Sequence, residues 1–176
     1  TARVIDRALF IARATGGAFD PTVKPLVALW GFGAGASNRE PTNDAIVAAL
    51  DLVGHHKVSW TGQNTLAADR PGVEVDLSAI AKGYAVDAVA DAVARAGATA
   101  ALVEIGGEVV GFGAKPDGAA WKVGIDNPKD GAAPGTDLAG VATLRRHAMA
   151  TSGDYRQFRT VDGKRISHTI DPRTGR

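Results

Sequence analysis

The stretch Val75–Asp87, VDLSAIAKGYAVD, sets an acid, a hydroxyl and a lysine around the start of a predicted helix. Val73, Val75 and Leu77 alternate with Glu74 and Asp76, a period-two pattern that predicts a strand, and the alanine-rich run from about Ala79 to Ala96 has helical composition. Ser78 is the natural N-cap. A helix start bares amide donors and the positive end of the helix dipole, so a phosphate could rest there, with Lys82 one turn in to add a full charge. Asp76, just outside, could accept hydrogen bonds from a base or sugar, or face a metal. An ordinary strand-to-helix junction with a capping serine and a solvated lysine accounts for the same residues, and by residue type alone it is the commoner arrangement.

Upstream, Val4, Ile5, Ala8, Leu9, Ile11 and Ala12 fall at helical spacing within Thr1 to Ala14, and Gly16 and Gly17 supply a stop. The chain opens inside that helix, so its true start is expected further upstream. Phe19 to Gly33 holds two prolines and predicts a loop with a short helical turn at Leu26 to Trp30. Gly35 to Asn43 is polar and rich in breakers. A second helix is expected over Asp44 to Leu52, followed by strand-like pieces at Lys57 to Trp60 and Thr65 to Ala68.

Downstream, Gly97 is a good cap for the long helix. Strands are predicted at Ala100 to Ile105, Glu108 to Phe112, Trp121 to Ile125, Gly140 to Leu144, Met149 to Ser152, Gln157 to Val161 and Ile166 to Ile170. Strands this closely spaced cannot all be parallel, because parallel crossovers need a dozen or more residues. The expectation is an α+β fold with a largely antiparallel sheet and packed helices, in one domain spanning residues 1–176 and incomplete at both ends.

A chain of 176 residues suits one domain. Its 20 basic and 19 acidic residues give no general attraction to nucleic acid. The tail from Arg145 carries eight Lys or Arg against Asp154, Asp162 and Asp171, which could face phosphates but reads by charge alone as a solvated face. Absence of cysteine removes disulfides and thiolate chemistry without fixing a compartment. No apolar run approaches membrane-spanning length.

Ala18, Phe19 and Asp20 form a second cluster. A small residue beside two glycines lets a flat ligand approach the backbone, the ring can stack, and the acid can bond to a donor edge. A turn with a buried Phe and an Asp capping toward Pro21 fits as well. Gly106 and Gly107 end a strand where bare backbone could admit a ligand, although a bulge or a tight hairpin explains them equally.

VDLSAIAKGYAVD resembles the central signature of the FAD:protein FMN transferases, the ApbE family. TGGAFDPTVKPLVALWGFG (Thr15–Gly33), LVEIGGEVVGFG (Leu102–Gly113), ATSGDYRQF from Ala150 and ISHTIDPRTG from Ile166 resemble that family's other blocks in the same order. The resemblance implies FAD contacts at Ala18, Phe19, Asp20, Asp76, Lys82 and Ile170, and a magnesium ion held in part by the Ala79 main-chain carbonyl. It sets His168 beside the flavin diphosphate as acid, base or charge stabiliser, a role suited to an imidazole near pH 7. His55, His56 and His147 read as structural. Asp171, Pro172, Thr174 and Gly175 read by composition as a plain turn.

The implied activity is magnesium-dependent transfer of FMN from FAD to a Thr or Ser hydroxyl of an acceptor protein, with release of AMP. FAD hydrolysis and FAD binding without catalysis are the alternatives. The family's side-chain magnesium ligands belong to a block beyond DPRTG, so this stretch alone is expected to bind metal poorly. The resemblance further implies a cell-envelope location on the periplasmic side through a lipid anchor, with a cytoplasmic form as the alternative.

Overall fold

The computed structural model describes residues 2–32, 40–61, 65–129, 131–145, 147–155, 157–161 and 163–176. Positions 35–39 of the breaker-rich stretch, and Arg146, Arg156 and Asp162 of the basic tail, lie outside them. The chain forms two compact units, Thr1–Ala79 with Gln157–Arg176, and Ile80–Arg156.

In the first unit, α1 (Ala2–Ala14) buries Val4, Ala8, Leu9 and Ala12, a single stripe at helical spacing. Gly16, at φ 58°, ends it: the Gly17 amide reaches back to Ala12 O at 2.9 Å and that of Gly16 to Arg13 O at 3.2 Å. That pair of bonds satisfies two carbonyls a helix end would otherwise orphan. Pro25 sits in the first turn of α2 (Lys24–Leu29), where its missing N–H costs nothing. Thr42 Oγ1 caps α3 (Asn43–Leu50) by accepting from the Ala45 amide.

Leu26, Trp30, Ile46, Val53 and Ile170 pack into one core cluster, and burying each such aliphatic side chain contributes roughly 1.5–3 kcal/mol. The DPRTG turn closes over it. Trp30 Nε1 donates to Gly175 O at 2.6 Å, and Gly175, at φ 74°, leaves no room for a Cβ, which would sit 2.6 Å from Ile46 Cγ2. Two antiparallel hairpins complete this unit, β1 (Val58–Trp60) with β2 (Leu66–Ala68) and, further along the chain, β8 (Phe158–Val161) with β9 (Lys164–Ser167).

Helix α4 (Ser78–Arg95) begins at the end of the first segment and runs into the second unit, burying Val86 and Ala90 one turn apart. Gly97, at φ 99°, ends it with the same paired bonds as α1, from Gly97 to Ala94 O and from Ala98 to Val93 O. The second unit then builds an antiparallel sheet from β3 (Ala101–Ile105), β4 (Glu108–Phe112) and β7 (His147–Met149). An antiparallel hairpin of β5 (Trp121–Asp126) and β6 (Leu138–Leu144) accompanies it. A Cβ at Gly111 would stand 3.2 Å from both Leu144 and Trp121, so the bare β4 backbone is what lets these side chains approach. Trp121 Nε1 uses that approach to donate to Phe112 O.

Every strand pair described is antiparallel, as expected for the α+β class. Three expected strands differ. Residues 73–77 are not a strand: their alternation reflects an extended segment on which Glu74 is exposed and its neighbours are half-buried, with no ladder beside it. β7 runs His147–Met149 rather than Met149 to Ser152, its three residues pairing with Gly111, Val110 and Val109 of β4. β9 starts at Lys164, the residue opposite Val161, and stops at Ser167, so His168 to Ile170 leave the hairpin.

Candidate functional site

Asp20 is buried, and both of its carboxylate oxygens are turned into the protein. Oδ1 accepts from the Thr22 amide at 2.9 Å and from Thr22 Oγ1 at 2.6 Å, while Oδ2 accepts from the His55 amide at 2.7 Å and lies 3.1 Å from His55 Nδ1. Thr22 Oγ1, itself fully buried, accepts from the Gly54 amide at 2.6 Å. The acid therefore staples the loop after α1 to the turn at His55. Neither Thr22 nor His55 was singled out for function in the sequence; a buried acid two residues before a threonine is the only local hint, the hydroxyl and amide donors of a turn. Ala18 is exposed and Phe19 half-buried on the same loop, where they remain open to a ligand.

The same loop is joined to the start of α4. The Asp76 amide donates to Pro21 O at 2.7 Å, and the exposed Lys24 pairs with Glu74. That pairing raises the Lys24 pKa, mainly through the hydrogen bond and charge of Glu74, with a smaller contribution from Asp76. Asp20 and Asp76 thus stand on adjoining backbone. Asp76 Oδ1 accepts from the Ser78 amide at 2.8 Å, so the cap expected of Ser78 is supplied instead by the acid two residues earlier, and Ser78 is the first helical residue. One Asp76 oxygen is committed to the helix start; Oδ2 accepts no hydrogen bond from the described residues.

His168 is half-buried, its ring edge-to-face with Phe32 at 6.2 Å between centroids, and its Nδ1 lies 2.9 Å from Gln157 O. A carbonyl can only accept, so Nδ1 carries the hydrogen and the neutral ring presents Nε2 as a base. Ile170 points into the core cluster, which leaves only its backbone for a ligand. Among the described residues His168 makes no hydrogen bond with Asp20 or Asp76. Four arginines of the basic tail are engaged within the protein: Arg159 donates to Trp30 O, Arg165 lies over Phe158, Arg173 grips Asp171 and Arg176 pairs with Asn43 and Glu40.

In the second unit, Lys82 Nζ donates to Gly106 O at 3.1 Å and lies 2.8 Å from Glu108 Oε2. A cavity of about 270 Å³ there is lined by Gly113, Ala114, Gly118, Ala120 and Arg145 and contains none of the residues expected from the sequence. Ala79 is exposed in the first turn of α4. Magnesium asks for several oxygen ligands in octahedral array, commonly one or two carboxylates among them. No three acidic or histidine side chains converge among the described residues, so a single carbonyl at Ala79 does not by itself fit the ion. No helix among them is long and apolar enough to cross a membrane.

Comparison with known proteins gives this geometry a context. The model of the ApbE family matches residues 1–176. An FAD:protein FMN transferase of Vibrio cholerae serotype O1 is 42% identical over 180 residues, covering 100% of this chain and 52% of that protein. The apo crystal structure of the Pseudomonas stutzeri flavinyl transferase ApbE superposes with a TM-score of 0.84 at 37% identity, over 99% of this chain and 53% of that one. The Thermotoga maritima ApbE protein gives 0.85 at 37% identity, over 98% and 55%. The chain spans about half the length of the relatives it matches.

Proposed function

Since the chain belongs to the ApbE family, we propose that the protein carrying it moves FMN from FAD onto a threonine or serine hydroxyl of an acceptor protein and releases AMP. The observation that carries the reading is the unbroken similarity to FAD:protein FMN transferases along the whole chain. In the proposed step the acceptor oxygen bonds to the FMN-side phosphorus as the bond to the bridging oxygen breaks. AMP departs with that electron pair, and the hydroxyl proton passes to His168 Nε2.

The residues divide this work by what each has free. His168 offers a lone pair held in one tautomer by Gln157 O. Asp76 and the first amides of α4 offer one spare carboxylate oxygen and the positive end of a helix of 18 residues, suited to ribose hydroxyls and to a diphosphate. Lys82 brings a positive charge to offset what builds on the phosphates. Asp20 acts from within, holding Ala18 and Phe19 where a flat ring can rest on them.

Magnesium belongs to the proposal as a bound ion that would neutralise phosphate charge. From the described residues it would take at most the Ala79 carbonyl, and the acid–base step above does not depend on it. To test the reading, the protein is incubated with FAD, magnesium and an acceptor domain and run on a denaturing gel. A fluorescent band at the acceptor is expected; its absence, with free FMN formed instead, would leave water as the acceptor and overturn the transferase reading.

A further inference from the structure

The Gly106–Gly107 turn is bare backbone open to a ligand, and a lysine of the same chain fills it. Both glycines take positive φ, 59° and 95°, which closes the hairpin with Ile105 opposite Glu108. Lys82 lies so close along this turn that a Cβ at Gly106 would stand 3.2 Å from its Cδ. Its ammonium then meets two oxygens, Gly106 O at 3.1 Å and Glu108 Oε2 at 2.8 Å.

The two charged partners are not alike. The Lys82 side chain is 48% exposed and that of Glu108 only 14%. Glu108 Oε2 is buried and accepts no directed hydrogen bond, so what stands beside it is the lysine's charge at ion-pair distance. A carboxylate oxygen kept this far from water without a donor is unfavourable unless a cation offsets it, and Lys82 is that cation. An ammonium has three N–H groups; with one on Gly106 O and its charge turned to Glu108, the exposed side is left for a third partner.

We propose that Glu108 is a positioning residue for flavin transfer: it holds the Lys82 ammonium on the Gly106 carbonyl, so that an N–H on its exposed side meets the FAD diphosphate in one orientation. This rests on the function proposed above. Glu108 acts through Lys82, and its negative charge also weakens the pull of Lys82 on an anion. Removing the charge while keeping the shape should therefore separate binding from turnover, a split that simple loss of structure does not produce.

The experiment compares wild type, Glu108→Gln and Glu108→Asp in steady-state FMN transfer, with Lys82 acetylation by acetic anhydride followed by mass spectrometry. In Glu108→Gln, KM for FAD is expected to stay level or fall, kcat to drop about tenfold or more, as misplacing a group by an ångström can do, and Lys82 to label several-fold faster. Glu108→Asp, with the charge kept on a shorter arm, should recover part of kcat, and it serves the test alone if the Gln variant does not fold. Unchanged kcat in both variants, or a raised KM at unchanged kcat, would overturn the role. A wild-type protein that attaches no flavin would instead overturn the transfer reading, while labelling would still report whether Glu108 restrains Lys82.

Discussion

Replacing Asp20 by Asn keeps the shape of a buried side chain and removes one of its two acceptor oxygens. Each oxygen now faces a backbone amide and a side-chain donor, those of Thr22 on one side and of His55 on the other. Whichever way the new amide turns, its NH2 meets one of those two backbone N–H groups. A backbone donor left unpaired in the interior costs about 1–3 kcal/mol, and the surviving bonds, no longer made to a charge, weaken by about 1 kcal/mol more. The sum, about 2–4 kcal/mol, lowers the melting temperature by roughly 4–16 °C for a chain of this size. Thermal unfolding of the ligand-free protein, followed by circular dichroism, measures it. If Asp20→Asn melts with wild type but loses affinity for FAD, the acid serves the ligand directly and the stapling role is wrong.

Further outcomes follow from single contacts. Gly175→Ala forces a side chain into φ 74° against Ile46 and Leu26, costing about 2–4 kcal/mol from backbone strain and overpacking together; urea unfolding should show the midpoint fall. Asp171 is held at about 2, below the ordinary aspartate value of 3.8, first by the Arg173 side chain and then by the Arg173 amide. A lowered folded-state value means that this contact stabilises above pH 3.8 and is lost as pH falls toward 2. In Arg173→Ala the Asp171 carboxyl should titrate closer to 3.8 by carbon NMR, and a midpoint unmoved from about 2 would contradict the assignment. His168→Ala should reduce kcat for transfer by about 10²- to 10⁴-fold, the usual worth of a general base, with FAD affinity by fluorescence titration nearly intact. Equal losses in both would refute its role as base.

Local chemistry was the legible part of the sequence. Gly16 and Gly97 announced the ends of α1 and α4, because positive φ is a property of one residue, whereas the Gly106–Gly107 pair left a bulge, a hairpin and a ligand approach open. The start of α4 was legible to within a residue, but its cap was not: serine and aspartate are equally good caps, and only the backbone path decides that Asp76 rather than Ser78 accepts the bond. The Val73–Leu77 alternation failed as a strand because a strand needs a ladder, and among the described residues this segment makes one backbone hydrogen bond, from Asp76 to Pro21, beside the Lys24–Glu74 ion pair.

The candidate site divides in the same way. Residue types pointed to Asp76 and Lys82 at a helix start, and the family resemblance pointed to His168. They could not show that Asp20 faces inward, since its partners come from Thr22 beside it and from His55, 35 positions away. Nor could they show Glu108 beneath Lys82, a contact between a helix and a hairpin 26 positions apart in number. The Ile170 side chain belongs to a core cluster with Leu26, Trp30, Ile46 and Val53, an arrangement that joins residues from opposite ends of the chain.

The central claim is that a protein hydroxyl, rather than water, displaces AMP from FAD. Counting both products in one reaction tests it most directly: AMP by chromatography, and flavin fixed to the acceptor by mass spectrometry of the intact protein. The account predicts equal amounts of the two, both abolished when the acceptor Thr or Ser is replaced by Ala. AMP accumulating at the same rate without acceptor, matched by free FMN, would contradict it.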